Sequence, residues 1–190
     1  IILEKYYSIT KNYKIMEEFK KASSEDVEAI KSFKVLRNKR FIEYPKQGLK
    51  VLKKIIKSIL RLTGCVLMID YGYLKSNNQN TLQSVMKHKK NNFLKNLGKA
   101  DISSHVNFSL LNEFFLKNNL QVKDIISQVQ FLKKMGILER AEMLSHNMHF
   151  NDKINLVLKL KRLLGTRLMG DLFKVILAYK FKKNNYLGFE

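Results

Sequence analysis

The sequence has few of the cysteine and proline residues that cross-link small domains or mark linkers. It contains one cysteine, so no intramolecular disulfide is available, and one proline, with no Gly/Ser-rich linker or repeat to mark a domain boundary. No run of about 18 consecutive apolar residues is present, as a membrane-spanning helix requires. The N-terminus mixes Glu4 and Lys5 into apolar residues and has no signal-peptide core. We therefore predict a single globular unit over residues 1–190, located in the cytoplasm.

Several motifs that carry chemistry are also missing. The sequence has no GxGxxG, GxxxxGK[ST], HExxH, GxSxG or CxxC. The usual signatures of phosphate-binding loops, zinc hydrolases and serine hydrolases are therefore absent, and we predict no metal site. The lone Cys65 lies in the apolar run CVLMI, where a buried strand residue is the expected role and a catalytic thiol the alternative.

Acidic residues are scarce relative to basic ones, and the net charge is +20. Such a charge is typical of nucleic-acid binding, because Lys and Arg release counterions from phosphate backbones. However, 30 of the 36 basic residues are Lys, and they are scattered along the chain and form no basic tract. We expect a solvated lysine surface and not a dedicated nucleic-acid site.

What is present is an alternation of helix and strand signals. Residues 2–9 and 13–19, separated by a polar turn, predict a β-hairpin, although residues 16–21 also fit a helix. Apolar residues at helical spacing predict an amphipathic helix over 46–62, and CVLMI then predicts a strand that is covered on both faces. Further on we expect a long loop over 74–106, followed by these elements: helix 108–117 capped by Asn107, strand 120–125, a helix capped by Ser127 and interrupted at Gly136, helices 137–145 and 153–164, and strand 172–179. The pattern predicts an α/β fold with a mostly parallel sheet.

Polar and aromatic residues follow the predicted strand at 65–69 and recur in the long loop. The carboxyl ends of strands in open α/β sheets are where ligands bind. A His that meets a carboxylate there can perform acid–base chemistry, and a carboxylate can orient a guanidinium. For His88 and His105 taken singly, a surface or capping role is the alternative. The candidate site consists of Asp70, Tyr71, Tyr73, Gln83, His88, Asp101 and His105.

Several sequence blocks, taken in order, resemble one known family, the MidA family. The chain is similar to successive blocks of that family at CVLMIDYGY (65–73), TLQSVMKHK (81–89), LGKADISSHVNFSLL (97–111), QVQFLKKMGILERAEML (128–144), MGDLFKVIL (169–177) and LGFE (187–190), the last lacking the family's Pro. The likeness covers nearly all of the chain after about residue 40, whereas residues 1–44 are similar only in outline to a strand insertion.

The resemblance implies a class I methyltransferase that uses S-adenosylmethionine and has a Rossmann-like fold. It also implies protein arginine methylation linked to assembly of respiratory complex I, in the mitochondrial matrix if the source is eukaryotic. The family's Gly-rich loop and ribose-binding carboxylate would precede residue 1, so we expect a C-terminal half, with residues 45–190 forming part of the methyltransferase domain and the donor-binding half absent.

On this reading, the site residues take two roles. Asp70, Asp101 and His105 are catalytic candidates, and Tyr71, Tyr73, Gln83 and His88 are candidates for binding a protein substrate. An N-terminal half, in a longer chain or as a separate chain, would be needed for activity. The alternatives are a non-catalytic assembly protein, a nucleic-acid binder favoured by charge alone, and a decayed reading frame.

Overall fold

The computed structural model describes residues 1–12, 14–75, 78–92, 94–181 and 186–189. The described residues form two compact units, one drawn from residues 1–44 and 78–104 and the other from residues 45–77 and 105–190. A single partial domain over the whole chain stays a prediction.

The elements are numbered in chain order. The strands are β1 (Leu3–Ile9), β2 (Ile15–Lys21), β3 (Cys65–Tyr73), β4 (Gln83–Met86), β5 (Lys89–Asn91), β6 (Asp101–Ser103), β7 (Val106–Asn107), β8 (Gln121–Val122), β9 (Ile126–Ser127) and β10 (Phe173–Tyr179). The helices are α1 (Ser24–Ser32), α2 (Lys46–Leu62), α3 (Phe108–Lys117), α4 (Gln128–Lys134), α5 (Ile137–Ser145), α6 (Phe150–Leu164) and α7 (Met169–Leu172), with a 3₁₀ turn at Lys34–Leu36.

The first unit begins with an antiparallel hairpin of β1 and β2, in which Leu3 lies opposite Lys21. The predicted hairpin is confirmed, and the alternative of a helix over 16–21 is wrong because cross-strand pairing fixes this segment as a strand. Tyr13, which the prediction placed in the second strand, lies outside the described residues.

Ion pairs across the hairpin shift the pKa values of exposed groups. Lys5 Nζ lies 2.7 Å from Glu17 Oε1, and this hydrogen bond lowers the pKa of the Glu17 carboxyl and raises that of Lys5. The Ser8 hydroxyl donates to the Glu18 carboxylate, and this bond, together with Lys20, lowers the pKa of Glu18. Because these pairs are exposed, each contributes little to stability.

The first unit also holds a small antiparallel sheet of order β5-β4-β6. The predicted loop over 74–106 is therefore wrong in this part. The β4–β5 turn places Lys87 and His88 at positive φ, 50° and 62°, as a two-residue hairpin turn requires. The unit's two chain segments are joined where Thr81 donates from both its backbone N–H and its hydroxyl to the Glu43 carboxylate, at 2.9 and 2.7 Å.

The second unit is built on a mixed sheet of order β7-β3-β10-β8, with β9 also paired to β10. β10 runs antiparallel to β3, β8 and β9, and only the short β3–β7 pair is parallel. The α/β class is confirmed, whereas a mostly parallel sheet is not what the described strands form. The sequence could not show this, because a strand with apolar residues on both faces has the same composition whichever way its neighbour runs.

Helix boundaries in the second unit follow local capping. α2 coincides with the predicted helix, and α3 starts after Asn107, whose side chain accepts from Leu110 N at 3.1 Å. α4 starts at a capping box in which Ser127 and Gln130 satisfy each other's backbone N–H groups. α6 begins three residues before its predicted start, and the predicted strand 120–125 is replaced by two short strands, β8 and β9.

The core of the second unit centres on β10 and α3. Val175, Ile176, Phe108 and Phe115 are fully buried. β3 is different: Cys65 is exposed, so the prediction of a buried thiol is wrong. Among the described residues, no helix combines the length and the apolar character that crossing a bilayer needs.

Candidate functional site

The carboxyl end of β3 carries Asp70, Tyr71, Gly72 and Tyr73 within the strand itself, which is longer than the predicted 65–69. Gly72 and Tyr73 pair in parallel with Val106 and Asn107 of β7. A Cβ atom at Gly72 would lie 2.1 Å from the Val106 carbonyl oxygen, so only glycine permits this close approach. The pairing brings the two ends of a 32-residue excursion of the chain side by side.

This close approach positions an aromatic cluster of Tyr71, His105 and Phe173. The Tyr71 ring lies 5.4 Å from the His105 ring at 74° and 5.5 Å from the Phe173 ring at 81°, both in edge-to-face geometry. All three side chains are half-buried. Aromatic faces of this kind can hold the apolar stem of a long side chain or a cationic group.

Asp70 is engaged in its own backbone rather than with His105. Its Oδ1 accepts from Tyr71 N at 2.8 Å, and its position in the sheet is opposite Lys174 of β10. Lys174 Nζ in turn donates to the Asp171 carbonyl oxygen. The carboxylate therefore fixes the backbone at Tyr71, a positioning role, and the structure records no bond from it to a second catalytic candidate.

A cleft of about 560 Å³ is lined by residues of the segment 162–172, which directly precedes Phe173 in the sequence. The charged and polar residues among those that line it are Arg162, Thr166, Arg167 and Asp171. Sequence reasoning missed this cleft, although Gly165, which ends α6 between two arginines, was a usable signal. The lining residues are Arg162, Thr166, Arg167, Leu168, Met169, Asp171 and Leu172.

The other predicted site residues lie in the first unit. Gln83 is opposite Ser103, and Asp101 is opposite Val85, so Gln83 and Asp101 occupy neighbouring positions on one face of the small sheet. His88 is exposed in the β4–β5 turn. The structure thus brings together Tyr71 with His105, and Gln83 with Asp101, each pair within one unit. A single site that contains all seven residues stays a prediction.

Comparisons with known proteins give the site its context. A family model described as "Putative S-adenosyl-L-methionine-dependent methyltransferase" matches residues 2–126. The chain is 30% identical over 94 residues to a Caenorhabditis elegans protein named protein arginine methyltransferase NDUFAF7 homolog, mitochondrial, covering 50% of this chain and 22% of that protein.

Two solved structures from Burkholderia thailandensis share the fold. One, an uncharacterized protein, superposes with a TM-score of 0.77 at 22% identity, over 98% of this chain and 50% of its own. The other, a methyl transferase candidate bound to S-adenosyl-homocysteine, gives 0.76 at 20% identity, over 99% and 48%. This chain therefore spans about half the length of these structures and less of the worm relative.

The matched family is one of methyltransferases that depend on S-adenosylmethionine. The chain belongs to this methyltransferase family, since the match covers about two thirds of its residues. The resemblance drawn from the sequence blocks is confirmed, and S-adenosylmethionine is the cofactor of the family.

Two glycines of the described residues leave no space for a cofactor beside them. Close approach of a ligand to the backbone needs glycines that face open space beside donor groups. Gly72 and Gly170 instead approach the chain's own carbonyl oxygens, those of Val106 and Leu164, whereas a Cβ at Gly64 or Gly98 would meet nothing within 4 Å. No group of three His, Cys, Asp or Glu in the described part of the chain could hold a metal ion.

Proposed function

We propose that this chain is the C-terminal part of a protein arginine methyltransferase, in which it supplies the acceptor side of the site. The observation that carries the proposal is the family match over residues 2–126, which includes the carboxyl end of β3 and both residues of the Tyr71–His105 pair. The name of the worm relative supports a protein arginine as the acceptor.

The proposed roles follow from side-chain chemistry. Arg stays protonated in water, so an acceptor guanidinium is best aimed by carboxylates, and it can stack on aromatic rings. Asp101 and Asp70 are the proposed carboxylates, and His105 is the proposed acid–base group. Tyr71, Tyr73, Gln83 and His88 are the proposed contacts to the protein substrate.

The wider setting is part of the same proposal. We place the methyl acceptor in a subunit of respiratory complex I, and the protein in the cytoplasm, or in the mitochondrial matrix if the source is eukaryotic. Activity on this proposal requires an N-terminal half that grips the cofactor, whether in a longer chain or as a separate partner.

The test is isothermal titration of S-adenosylmethionine, first into the chain alone and then into the chain co-expressed with the unmatched half of a family member. We expect binding only in the second case. Transfer of a labelled methyl group to an arginine-containing protein should then be lost in Asp101→Asn and His105→Ala. A control, Phe150→Ala, alters an exposed helix residue and should leave transfer unchanged.

A second candidate is a non-catalytic assembly protein that keeps the outer surface of the fold. No cofactor binding by the co-expressed pair, together with retained protein binding, would select it over the enzyme. Salt-sensitive binding to unrelated DNA would instead select the third alternative, a nucleic-acid binder.

A further inference from the structure

β3 shows a mismatch between its composition and its burial. The run CVLMI has the continuous apolar character of a strand covered on both faces. Yet Leu67 is 45% exposed and Ile69 41% exposed, whereas Val175, beside Ile69 on β10, is 0% exposed. The neighbouring strand is therefore covered and β3 is not.

The backbone of β3 explains which side is open. In an antiparallel pair, alternate residues direct both N–H and C=O to the partner strand. The Gly64 carbonyl oxygen accepts from Lys180 N at 3.1 Å, so the even-numbered residues of β3 face β10. Cys65, Leu67 and Ile69 turn their N–H and C=O groups to the other edge.

Among the described residues, that other edge pairs with β7 only at Gly72 and Tyr73. Tyr71 N, which also faces it, is taken by the Asp70 side chain. At Cys65, Leu67 and Ile69 the edge therefore presents backbone groups that no described strand pairs, and the side chains of these three residues are exposed. A long apolar edge strand is a template for another strand.

The helix that leads into β3 also carries exposed apolar residues. Val51, Ile55 and Leu62 of α2 are exposed. They are 4 and 11 residues apart, about one and three helical turns, and so lie on one face. The buried face of α2 is a different one, formed by Leu49, Ile56 and Ile59.

We propose that the open edge of β3 at Cys65–Ile69 binds a β-strand from the half of the methyltransferase fold that this chain does not cover. The inference rests on the proposed function, and it names the partner and the docking edge. Nearly all of this chain superposes on one half of a solved relative, so the other half of that fold has no counterpart here. A strand with apolar side chains from that half satisfies the open backbone groups and covers Leu67 and Ile69.

The test co-expresses the full chain with the unmatched half of the S-adenosyl-homocysteine-bound Burkholderia protein and measures the complex by size-exclusion chromatography. Ile69→Lys places a charge at the edge and should lower recovery of the complex at least tenfold. Leu67→Pro removes an N–H that faces the open edge and should act alike. Val157→Lys, at an exposed apolar position on α6, is the matched control and should leave recovery unchanged.

Folding of each variant is checked by thermal melting of the chain alone. Leu67→Pro should melt near the wild type, whereas Met68→Pro removes an N–H that faces β10 and should be clearly destabilised. If Leu67→Pro does not fold, Ile69→Lys still decides the result because it keeps every backbone N–H. Maleimide labelling of the exposed Cys65, the chain's sole cysteine, should slow in the complex.

The outcomes separate this inference from the proposed function. A complex that Ile69→Lys weakens but that binds no S-adenosylmethionine supports the docking edge and contradicts the proposed enzyme function. If Ile69→Lys gives the same recovery of the complex and the same cofactor binding as the wild type, the docking edge is wrong and the proposed enzyme function is unaffected. If the wild-type chain forms no complex with the other half, the proposed docking edge is wrong. It is also wrong if the chain forms a dimer that Ile69→Lys abolishes, since a second copy would then occupy the edge.

Discussion

Replacing Gly72 with Ala should disrupt the contact that holds the candidate site together. The added Cβ would lie 2.1 Å from the Val106 carbonyl oxygen and 2.8 Å from Cε2 of Phe108. The first of these atoms is backbone and the second belongs to a fully buried ring, so neither can move aside cheaply. β7 must therefore shift away from β3, and His105, which directly precedes β7, must shift with it.

The expected cost is that of overpacking a tight site, about 1–3 kcal/mol. For a chain of this size, 1 kcal/mol corresponds to roughly 2–4 °C in Tm, so the melting temperature should fall by about 2–12 °C. The edge-to-face contact between Tyr71 and His105, now 5.4 Å between ring centroids, should loosen in parallel.

Thermal melting by circular dichroism measures the first effect, and the ring-current shift of the His105 protons in NMR spectra measures the second. Gly64→Ala is the matched control, because a Cβ at Gly64 meets nothing within 4 Å. It should melt within a few degrees of the wild type. If Gly72→Ala has the same melting temperature as Gly64→Ala, the close approach of β7 to β3 is not a packing constraint and the prediction is wrong.

Three further substitutions test contacts elsewhere in the chain. Gln128→Ala removes a buried side chain whose Nε2 donates to the Leu163 carbonyl oxygen at 3.0 Å, and urea unfolding should show a loss of about 1–3 kcal/mol. Ser127→Ala breaks the capping box of α4 and should cost about 1 kcal/mol by the same assay. The bond to Lys5 lowers the pKa of Glu17, so this bond stabilises the hairpin at pH values above the ordinary carboxyl pKa of 4.5 and is lost as the pH falls through the lower folded pKa. In Glu17→Gln, NMR titrations of the hairpin amides should show a smaller loss of hairpin stability at acid pH.

Local signals allowed much of the fold to be predicted. The α2 helix, the Asn107 cap and the Ser127 cap were found because periodicity and capping are properties of neighbouring residues. The small sheet of β4, β5 and β6 was missed because its strands have three or four residues each, and because β4 pairs with β6 across a separation of about 15–20 residues. Its turn also has Lys87 and His88 at positive φ, in place of the Asn-Gly that usually signals such a hairpin.

The candidate site was predicted in part, for a similar reason. Tyr71 and His105 meet because the carboxyl end of β3, where ligand-binding residues of an α/β sheet are expected, pairs with β7, and His105 directly precedes β7. Gln83 and Asp101 were chosen as loop residues, and the structure places them on strands, where alternation decides which face they share. The arginines of the cleft lie where no strand-end signal points, Arg162 in the last turn of α6 and Arg167 just after that helix.

The chain's path joins these observations. It leaves the second unit after β3, builds the small sheet of the first unit, and returns at His105, beside the strand that it left. The two ends of that excursion are held together by the pairing of Gly72 with Val106 and of Tyr73 with Asn107. Closing a loop of about 30 residues costs conformational entropy, which this short pairing must offset with help from the packing of Phe108 against Gly72. A side chain at Gly72 therefore acts on three things at once: the close strand pair, the Tyr71–His105 contact, and the closure of the segment that carries Gln83, His88 and Asp101.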